Sequence, residues 1–599
     1  MKQLSPPGWL ISGLILVVIM APIKSHAGPE DDRFQALSDR YLDQQPAFSP
    51  IGATVRGDHR FDDQLDRVGV DARSTEIVFY IRMRADLADI ETASLSRANQ
   101  VDAALLRHEL NKKIWTNMEL EEWRWNPTVY TELSGLAVYG LMAREFAPVD
   151  ARLMNVVARL EQLPKFFADV RTTLEPARVP VVHAETAIRQ NPGVVSNIDN
   201  LVVPAAEALT GEQRRRLDRA VEVARSAVAE HQAWLEDTLL PNAGGEFRIG
   251  QSLYDEKLAF ALNSPLDRTE IRRRAEHEYE RVREAMYEVS KGVYLATHPY
   301  SQLPAAPDEH HKQLFVRAAL EVAYAQLPGP DQIVETARES LARTTAFVRE
   351  KNLVRVPDDP LEIIVMPEFR RGVSLAYCDS PGPLDKGQKT FYAVSPLPSD
   401  WSPQQVGSFL REYNLLSIDV LTIHEAMPGH FLQLAHSSAY PSTLRAVLRS
   451  GSFIEGWAVY TERVMTEAGF RDGDPLMHLM QLKWYLRAIT NAIMDQAIHV
   501  DGMTRDQAMS LMIEGGFQEE REAAGKWVRA QLTSAQLATY FVGYQEHSDL
   551  RSEWEARKGD DFSAREYHDR VLSYGSPPGR YVRALMLDLP IPGEIDQET

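Results

Sequence analysis

Two histidines and a glutamate form the most informative group in this sequence. His424 is followed directly by Glu425, and a second histidine, His430, stands six residues after the first. Zinc hydrolases hold the metal with two imidazoles and use a carboxylate to take a proton from water, and on a helix the histidines normally stand four apart. The pattern therefore indicates metal-dependent hydrolysis, provided that both histidines can reach one point.

The spacing of six conflicts with a regular helix. Four residues turn a helix by ~400°, which aligns two side chains, whereas six turn it by ~600° and leave them about 120° apart. Pro428 cannot donate to the carbonyl of His424, and it disfavours helical geometry at Met427. With Gly429 adding backbone freedom, we expect an irregular helix from Met427 to Gly429 that lets the two histidines face one ion. The alternative is a helix that ends there, with one buried and one surface histidine.

Two further acids follow in the segment from Gly451 to Glu462. Glu455 stands 25 residues after His430, which leaves room for a turn and a second helix that presents its carboxylate to the same metal. Glu462 comes seven residues later on the same helix face. One of the two acids would coordinate the metal and the other could orient a ligand histidine, although a solvated face is the alternative for Glu462.

These segments resemble a known bacterial family. The stretches His424-Glu-Ala-Met-Pro-Gly-His430 and Phe453-Ile-Glu-Gly-Trp-Ala-Val-Tyr-Thr-Glu462 look like the family labelled domain of unknown function 885, which itself resembles gluzincin metallopeptidases of the neurolysin and thermolysin kind. The likeness spans nearly the whole chain after residue 27 and includes the segment from Ala53 to Asp62. It implies a helical, two-lobed peptidase-like fold with a deep channel, but it implies no substrate.

Two positions depart from these patterns. Family members often have a further histidine where this chain has Phe431, so His430 is the only candidate for the second ligand. Thermolysin-type enzymes have an acid four residues after the ligand glutamate, where this chain has Val459. Support for a ligand histidine must therefore come from elsewhere. The candidates are Glu462, Gln433 and Asp495.

We therefore predict one zinc ion held by His424, His430 and Glu455, with Glu425 as the general base. Hydrolysis also needs a donor for the charge that develops on the substrate carbonyl. Tyr540, in the segment from Gln536 to Gly543, resembles the tyrosine of a Gln-Ala-Leu-Ala-Tyr-Lys-Ile-Gly stretch in the family and is our first candidate. His568 and Arg580 are further candidates, since either could bind a peptide carbonyl or a C-terminal carboxylate. For all three, an ordinary structural role is the alternative.

Most of the chain must be helical to position these residues. Apolar residues recur with a helical period in 153–170, 217–235, 267–293, 315–327, 331–351 and 477–499. Most connections contain proline or glycine, such as Leu163-Pro164. The segments 361–366 and 390–395 read as strands. We expect a mostly α protein, with a large two-lobed helical metallopeptidase-like fold and one small β-sheet beside the active-site helix.

The N-terminus has the pattern of a secretory signal over residues 1–27, with Lys2, an apolar run from Trp9 to Met20, and small residues before the cleavage point at Ala27. Since no cysteine lies near Ala27, we expect no bacterial lipid anchor; an uncleaved anchor is the alternative. We predict a periplasmic or secreted protein without stable membrane insertion after cleavage. An N-terminal helical lobe (28–306) and a catalytic lobe (307–599) would form one continuous family domain.

Composition excludes other partners and chemistries. The 599 residues carry a net charge of −20, which argues against a nucleic-acid partner. Cys378 is the only cysteine and lies in a turn-rich segment without a nearby histidine, so we expect a packed thiol rather than a nucleophile. His499 is expected to be the buried partner of Asp495, and His310 and His311 are expected to be solvated.

Together these features predict a secreted zinc-dependent peptidase that acts on short peptides. We expect the substrate backbone to pair with an edge strand at residues 390–395, which places Tyr392 beside it. One alternative is a non-catalytic periplasmic binding or scaffold protein with a structural metal, which would have no use for Glu425. Another is a metal-dependent hydrolase of non-peptide amides or esters, which would share every motif.

Overall fold

The computed structural model describes residues 28–300, 303–304, 306–366, 375–397 and 401–593. The chain is 73% helical with a small three-stranded sheet, so the prediction of a mostly α fold is confirmed. Within these ranges, no helix combines the length and the hydropathy that crossing a bilayer requires. The predicted signal segment, residues 1–27, lies outside the described residues.

The N-terminal part of the chain, up to residue 240, consists of helices of very different lengths. In chain order they are α1 (Pro29–Gln44), α2 (Pro50–Arg56), α3 (Val70–Ala88), α4 (Arg97–Trp115), α5 (Glu122–Trp125), α6 (Thr128–Met142), α7 (Val149–Thr173), α8 (Val181–Gln190), α9 (Gly193–Asn197), α10 (Val203–Ala205) and α11 (Gly211–Trp234). Short π-helical turns extend α4 and α11.

The C-terminal part adds further helices and the sheet. The helices are α12 (Gly250–Leu262), α13 (Arg268–Thr297), α14 (Glu309–Tyr324), α15 (Ile333–Glu350), α16 (Pro403–Glu412), α17 (Leu415–Glu425), α18 (His430–Ser438), α19 (Thr443–Val447), α20 (Gly451–Glu467), α21 (Pro475–His499), α22 (Arg505–Ser510), α23 (Glu520–Leu532), α24 (Ala538–Lys558), α25 (Ala564–Leu572) and α26 (Gly579–Leu587). The strands are β1 (Leu361–Val365), β2 (Ala376–Asp379) and β3 (Thr390–Val394).

Two large hydrophobic cores organise these elements. One contains buried residues from Ile51 to Val228, contributed mainly by α6, α7 and α11. The larger core runs from Tyr254 to Leu587 and contains the helices around the predicted metal site. Helices α12 and α13 pack into this larger core, although they precede the predicted lobe boundary at residue 306. That boundary stays a prediction.

The helical periods located six helices, namely α7, α11, α13, α14, α15 and α21. One expected connection is wrong, because α7 continues through Pro164. A proline inside a helix removes one backbone hydrogen bond. Leu160, Leu163 and Phe167 are buried on either side of this position and keep the helix in the core.

The sheet has the order β1-β3-β2, with β3 parallel to β1 and antiparallel to β2. The prediction of an edge strand at residues 390–395 is therefore wrong, since β3 is central and hydrogen-bonded on both sides. The short strand β2, which no sequence pattern indicated, covers the edge that the prediction left open. Tyr392 on β3 is fully buried, and its hydroxyl lies 3.2 Å from Thr422 Oγ1 on α17.

Helix α17 lies beside this sheet and is buried on nearly every side. It begins at Asn414, whose side chain accepts hydrogen bonds from the backbone N–H groups of Leu416 and Ser417. Asp419 near its middle is fully buried, accepts hydrogen bonds from Ser340 and Arg343 of α15, and forms an ion pair with Arg471. These charge-assisted contacts fix α17 relative to α15.

The N-terminal helices contact the sheet through Asp379 at the end of β2. Its side chain accepts hydrogen bonds from the Tyr139 hydroxyl at 2.7 Å and from Arg144 Nη2 at 3.0 Å. His59 lies 3.1 Å from Asp385 in the loop before β3. The segment from Ala53 to Asp62, which contains His59, therefore supports the loop between β2 and β3.

Helices α20 and α24 cross with their backbones in direct contact. A Cβ atom on Gly456 would lie 2.2 Å from the carbonyl carbon of Gly543, and one on Gly543 would lie 1.9 Å from the carbonyl oxygen of Ser452. Neither distance leaves room for a side chain, so both positions require glycine. The crossing fixes the distance between the residues that the two helices present to their neighbours.

We expect Gly456→Ala to lower the free energy of unfolding by at least about 2 kcal/mol, because the new methyl group must push α20 and α24 apart. The matched control is Gly135→Ala in α6, where an added Cβ would meet nothing within 4 Å. That substitution should be neutral or stabilise by up to about 1 kcal/mol. Urea unfolding followed by circular dichroism measures both, and equal stability of the two variants would contradict the crossing.

Candidate metal centre

The chain leaves helical geometry between the two predicted histidine ligands. Helix α17 ends at Glu425, α18 begins at His430, and the four residues between them are non-helical. Ala426 has φ −128° and ψ −77°, and the N–H of Leu432 reaches back to the Ala426 carbonyl at 3.3 Å. The predicted irregularity from Met427 to Gly429 is confirmed, although it is a break between two helices rather than a bulge in one.

Gly429 makes this break possible. A Cβ atom at this position would lie 1.9 Å from the carbonyl oxygen of His424 and 2.3 Å from that of Ile423. The chain therefore folds back so closely over the end of α17 that only glycine fits. On the other side, the indole N–H of Trp457 donates to the Pro428 carbonyl at 2.9 Å and fixes the break from α20.

The break brings three side chains to one point. His424 Nε2 and His430 Nε2 lie 3.5 Å and 3.4 Å from the same oxygen, Glu455 Oε2. The possible ligand atoms of the three residues all lie within 4.8 Å of one another, which is close enough for one metal ion to contact them all. The imidazole rings are nearly perpendicular, at 84°, with centroids 4.7 Å apart.

Glu455 is an ionised and incompletely satisfied acid. Although burial opposes ionisation, the nearby imidazoles of His430 and His424 hold the pKa of Glu455 well below its usual range. Its Oε2 atom is buried and makes no hydrogen bond of good geometry with the described residues. A buried carboxylate oxygen between two imidazole nitrogens is a suitable donor set for zinc.

Glu462 supports one of the two histidines. It is 2% exposed, and its Oε1 atom lies 2.8 Å from His424 Nδ1, so the ring N–H donates to the carboxylate and leaves Nε2 directed at the cluster. Metal-binding histidines commonly have such an acid on the far ring nitrogen. Of the three candidates for supporting a ligand histidine, Glu462 is therefore the one that contacts His424. It lies about one helical turn after Val459, the position at which thermolysin-type enzymes have an acid.

Glu425 lies next to the cluster but has a different partner. Its Oε2 atom accepts a hydrogen bond from the backbone N–H of Cys378 on β2 at 2.9 Å. Burial raises the pKa of Glu425, against the opposing charges of His430 and His424, and a raised pKa suits a group that must take up a proton. Burial also raises the pKa of the Cys378 thiol, which stays neutral. Cys378 therefore contacts Glu425 through its backbone N–H and not through its thiol.

These residues line a cavity of about 520 Å³. Its wall includes Leu375, three residues of β2 (Ala376 to Cys378) and faces of α17, α20, α21, α23 and α24. Every lining residue falls between Leu375 and Tyr540. None of the described N-terminal helices contributes to this wall. The volume is typical of a site for a small ligand or a few residues of a peptide.

Tyr540 faces the same cavity from α24, three residues before Gly543. Its hydroxyl accepts a hydrogen bond from Arg529 Nη2 at 3.0 Å, which leaves the phenolic proton available to a ligand. Since Glu455 directly precedes Gly456, the close helix crossing sets the position of Tyr540 relative to the cluster. Arg529 had no sequence signal and was not predicted.

Besides Tyr392, four predicted residues lie outside the cavity lining. Gln433 donates to Ser576 Oγ at 2.6 Å, and Asp495 accepts a hydrogen bond from Tyr254 at 3.2 Å. Burial raises the pKa of Asp495 to about 7. His568 is buried between the Tyr460 hydroxyl and the Leu353 carbonyl, and Arg580 donates to the Gly593 carbonyl.

Three further histidines that the sequence analysis considered also lie outside the cavity lining. His499 Nε2 bonds to the carbonyls of Ala530 and Thr533, so it is buried but does not pair with Asp495 as expected. His310 and His311 are exposed, as predicted, at the start of α14.

A group of cations on α21 and α23 is the feature that sequence patterns missed most completely. Arg487, Lys526 and Arg529 all line the cavity. Lys526 is 6% exposed; burial lowers its pKa, and the charge of Arg487 lowers it further. Nothing in the local sequence indicates that these residues meet, because two separate helices bring them together.

Two solved structures are similar over almost their whole length. One, described as "a putative lipoprotein of unknown function from Shewanella oneidensis", is 33% identical, covers 92% of this chain and 99% of its own, and has a TM-score of 0.78. The other, "the putative lipoprotein from Colwellia psychrerythraea", is 18% identical, covers 94% and 99%, and has a TM-score of 0.73, which shows the fold alone.

No curated protein matches the chain significantly. The family described as "Bacterial protein of unknown function (DUF885)" matches residues 50–586, which include every residue of the candidate metal centre and its cavity. The chain therefore belongs to the bacterial DUF885 family.

Proposed function

We propose that this protein is a zinc-dependent peptidase that hydrolyses short peptides. The observation that carries the proposal is the convergence of His424, His430 and Glu455 in a cavity that Glu425 also lines. Two neutral nitrogens and one carboxylate are the ligand set of open catalytic zinc sites. A purely structural site would have four protein ligands and no additional carboxylate beside it.

Each residue of the site would have a separate task. His424, His430 and Glu455 would hold the zinc ion, and Glu462 would keep the His424 ring in position through its 2.8 Å hydrogen bond. When bound, zinc would supply Lewis-acid activation of the carbonyl and a lowered pKa for water. Glu425 would accept the proton of the attacking water. The backbone N–H of Cys378, which donates to the Glu425 carboxylate, would keep that side chain in position.

Tyr540 would donate a hydrogen bond from its hydroxyl to the oxyanion that develops on the substrate carbonyl. Arg529 supports this role, because a guanidinium that donates to the phenol oxygen directs the phenolic proton away from itself.

The proposal includes export from the cytoplasm. Both similar structures carry the description of putative lipoproteins. Residues 1–27 of this chain have the pattern of a secretory signal. We therefore propose a periplasmic or secreted protein.

The zinc site gives the first prediction of the proposal. Glu455→Gln should lose most of its bound zinc, since an amide is a poor ligand beside two imidazoles, whereas Glu425→Gln should keep about one zinc ion per chain. Both changes preserve side-chain volume and both residues line the cavity, so each is the control for the other. Metal analysis of the purified proteins after dialysis measures this, and equal zinc content in the two variants would remove Glu455 from the ligand set.

Removing the proton acceptor should separate chemistry from metal binding. We expect Glu425→Gln to lower kcat by at least about 100-fold while the melting temperature stays within a few degrees of the wild type. Hydrolysis of a peptide library, read by mass spectrometry, gives the rate. Full activity in Glu425→Gln would assign the base to another residue, and no cleavage by the wild-type protein would favour a binding or scaffold role.

The size of the cavity limits the substrate. At about 520 Å³, it has room for an extended segment of a few residues, which a folded protein does not readily present. Peptides of up to about 20 residues should therefore be cleaved, while intact serum albumin should remain uncut over the same period. Gel electrophoresis and mass spectrometry distinguish the two outcomes, and rapid digestion of native albumin would require a much more open site.

A further inference from the structure

The cavity of the candidate metal centre has a surplus of positive charge on one wall. Arg487 and Lys526 share a single carboxylate, Glu522: Arg487 Nη2 pairs with its Oε1 atom, and Lys526 Nζ lies 3.8 Å from the same oxygen. Arg529 makes no ion pair within the described part of the chain, and it donates to Gln536 and Tyr540. Three basic side chains therefore line the cavity, and one acid, Glu522, lies within ion-pair distance of two of them.

The neighbouring acids make their direct contacts with other groups, although the charges of Glu455 and Glu462 act on Arg529 and Arg487 across the cavity. Glu412 is buried, but it already forms a pair with Lys483 at 2.9 Å. The acids across the cavity have other partners in the proposed function, since Glu455 binds zinc, Glu462 holds His424, and Glu425 faces the water. Keeping cations buried without counter-charges is costly, and such an arrangement persists where an anion binds.

Unsatisfied polar groups mark the same wall. Trp484 and Asn491 stand seven residues apart on α21 and both line the cavity. The indole Nε1 of Trp484 and the Oδ1 atom of Asn491 are buried, and among the described residues neither has a hydrogen-bond partner. Asn491 is only 4% exposed. Buried polar groups without partners at a cavity wall are the places where a ligand completes the hydrogen bonding.

We propose that Arg487, Lys526 and Arg529 form a carboxylate-binding subsite, so that the substrates of this site are peptides that carry a carboxylate beside the bond to be cleaved. The inference rests on the proposed function. Arg529 links the subsite to the chemistry, because it also holds Tyr540 at 3.0 Å, and an arginine fork matches a carboxylate in shape and charge. The carboxylate belongs to the C-terminus of the peptide or to an acidic side chain.

Binding without turnover tests the subsite. The zinc-loaded full chain with Glu425→Gln is titrated by calorimetry with three probes: N-benzoyl-tetraalanine as the free acid, the same peptide as its C-terminal amide, and the amide with glutamate as its last residue. We expect an acid-containing probe to bind at least about tenfold more tightly than the neutral amide. Preference for the free acid assigns the C-terminus, and preference for the glutamyl amide assigns a side chain.

Cavity variants show whether the cations cause the preference, since a carboxylate could also bind zinc directly. In the Glu425→Gln background, Lys526→Met and Arg529→Gln should each reduce the tenfold ratio to about threefold or less, whereas the exposed control Lys165→Met should leave it unchanged. The two cavity variants are independent, so one that fails to fold does not decide the test. Zinc content and melting temperature identify the folded variants.

Two results would overturn the subsite. One is equal affinity of all three probes for the Glu425→Gln protein. The other is an acid preference that persists in every folded cavity variant, which would assign the carboxylate to zinc. Because these measurements need no hydrolysis, they are independent of the peptidase proposal. A protein that binds the acid through these cations but cleaves no peptide would keep the subsite and lose the proposed function.

Discussion

Two imidazoles that are six residues apart in sequence must reach one point, and much of the C-terminal structure serves this constraint. The backbone can meet it only by leaving the helix after Glu425, folding Gly429 against the His424 carbonyl and starting a new helix at His430. Such a break exposes polar backbone groups, which need partners in a buried setting. Trp457 supplies one to Pro428 from the same helix that carries Glu455, so the third predicted ligand and the break are fixed by one element.

The side chains of the candidate centre could be predicted because residue type and spacing carry their signal. A histidine followed by glutamate, a proline-glycine pair before a second histidine, and two acids seven residues apart led to His424, Glu425, His430, Glu455 and Glu462. Residue type alone did not exclude Gln433 or Asp495 as supports for a ligand histidine, and only their contacts with Ser576 and Tyr254 show that they face elsewhere. Helix identity was likewise readable from periodicity, except where buried neighbours carried α7 through Pro164.

What sequence could not supply depends on backbone groups and on tertiary packing. Strand β2 has four residues, too few for a periodic pattern, yet it reverses the roles of edge and centre in the sheet and places the Cys378 amide on Glu425. A backbone donor has no residue-type signature. The cations Arg487, Lys526 and Arg529 are ordinary surface residues by composition, and they share a cavity only because α21 and α23 pack around the same space as α17.

The contact between Gly456 and Gly543 has a consequence for how the site fails. Where side chains separate two helices, their rotamers can adjust and let the helices shift by small steps while the fold survives. Here no side chain lies between the two backbones at the crossing of the helices that carry Glu455 and Tyr540. A change of rotamer therefore cannot adjust the distance between these helices at this point. Loosening of this part of the centre by heat or denaturant should therefore require that α20 and α24 separate. The site and the larger core should be lost together in one cooperative event, which leaves no native-like state with a distorted centre.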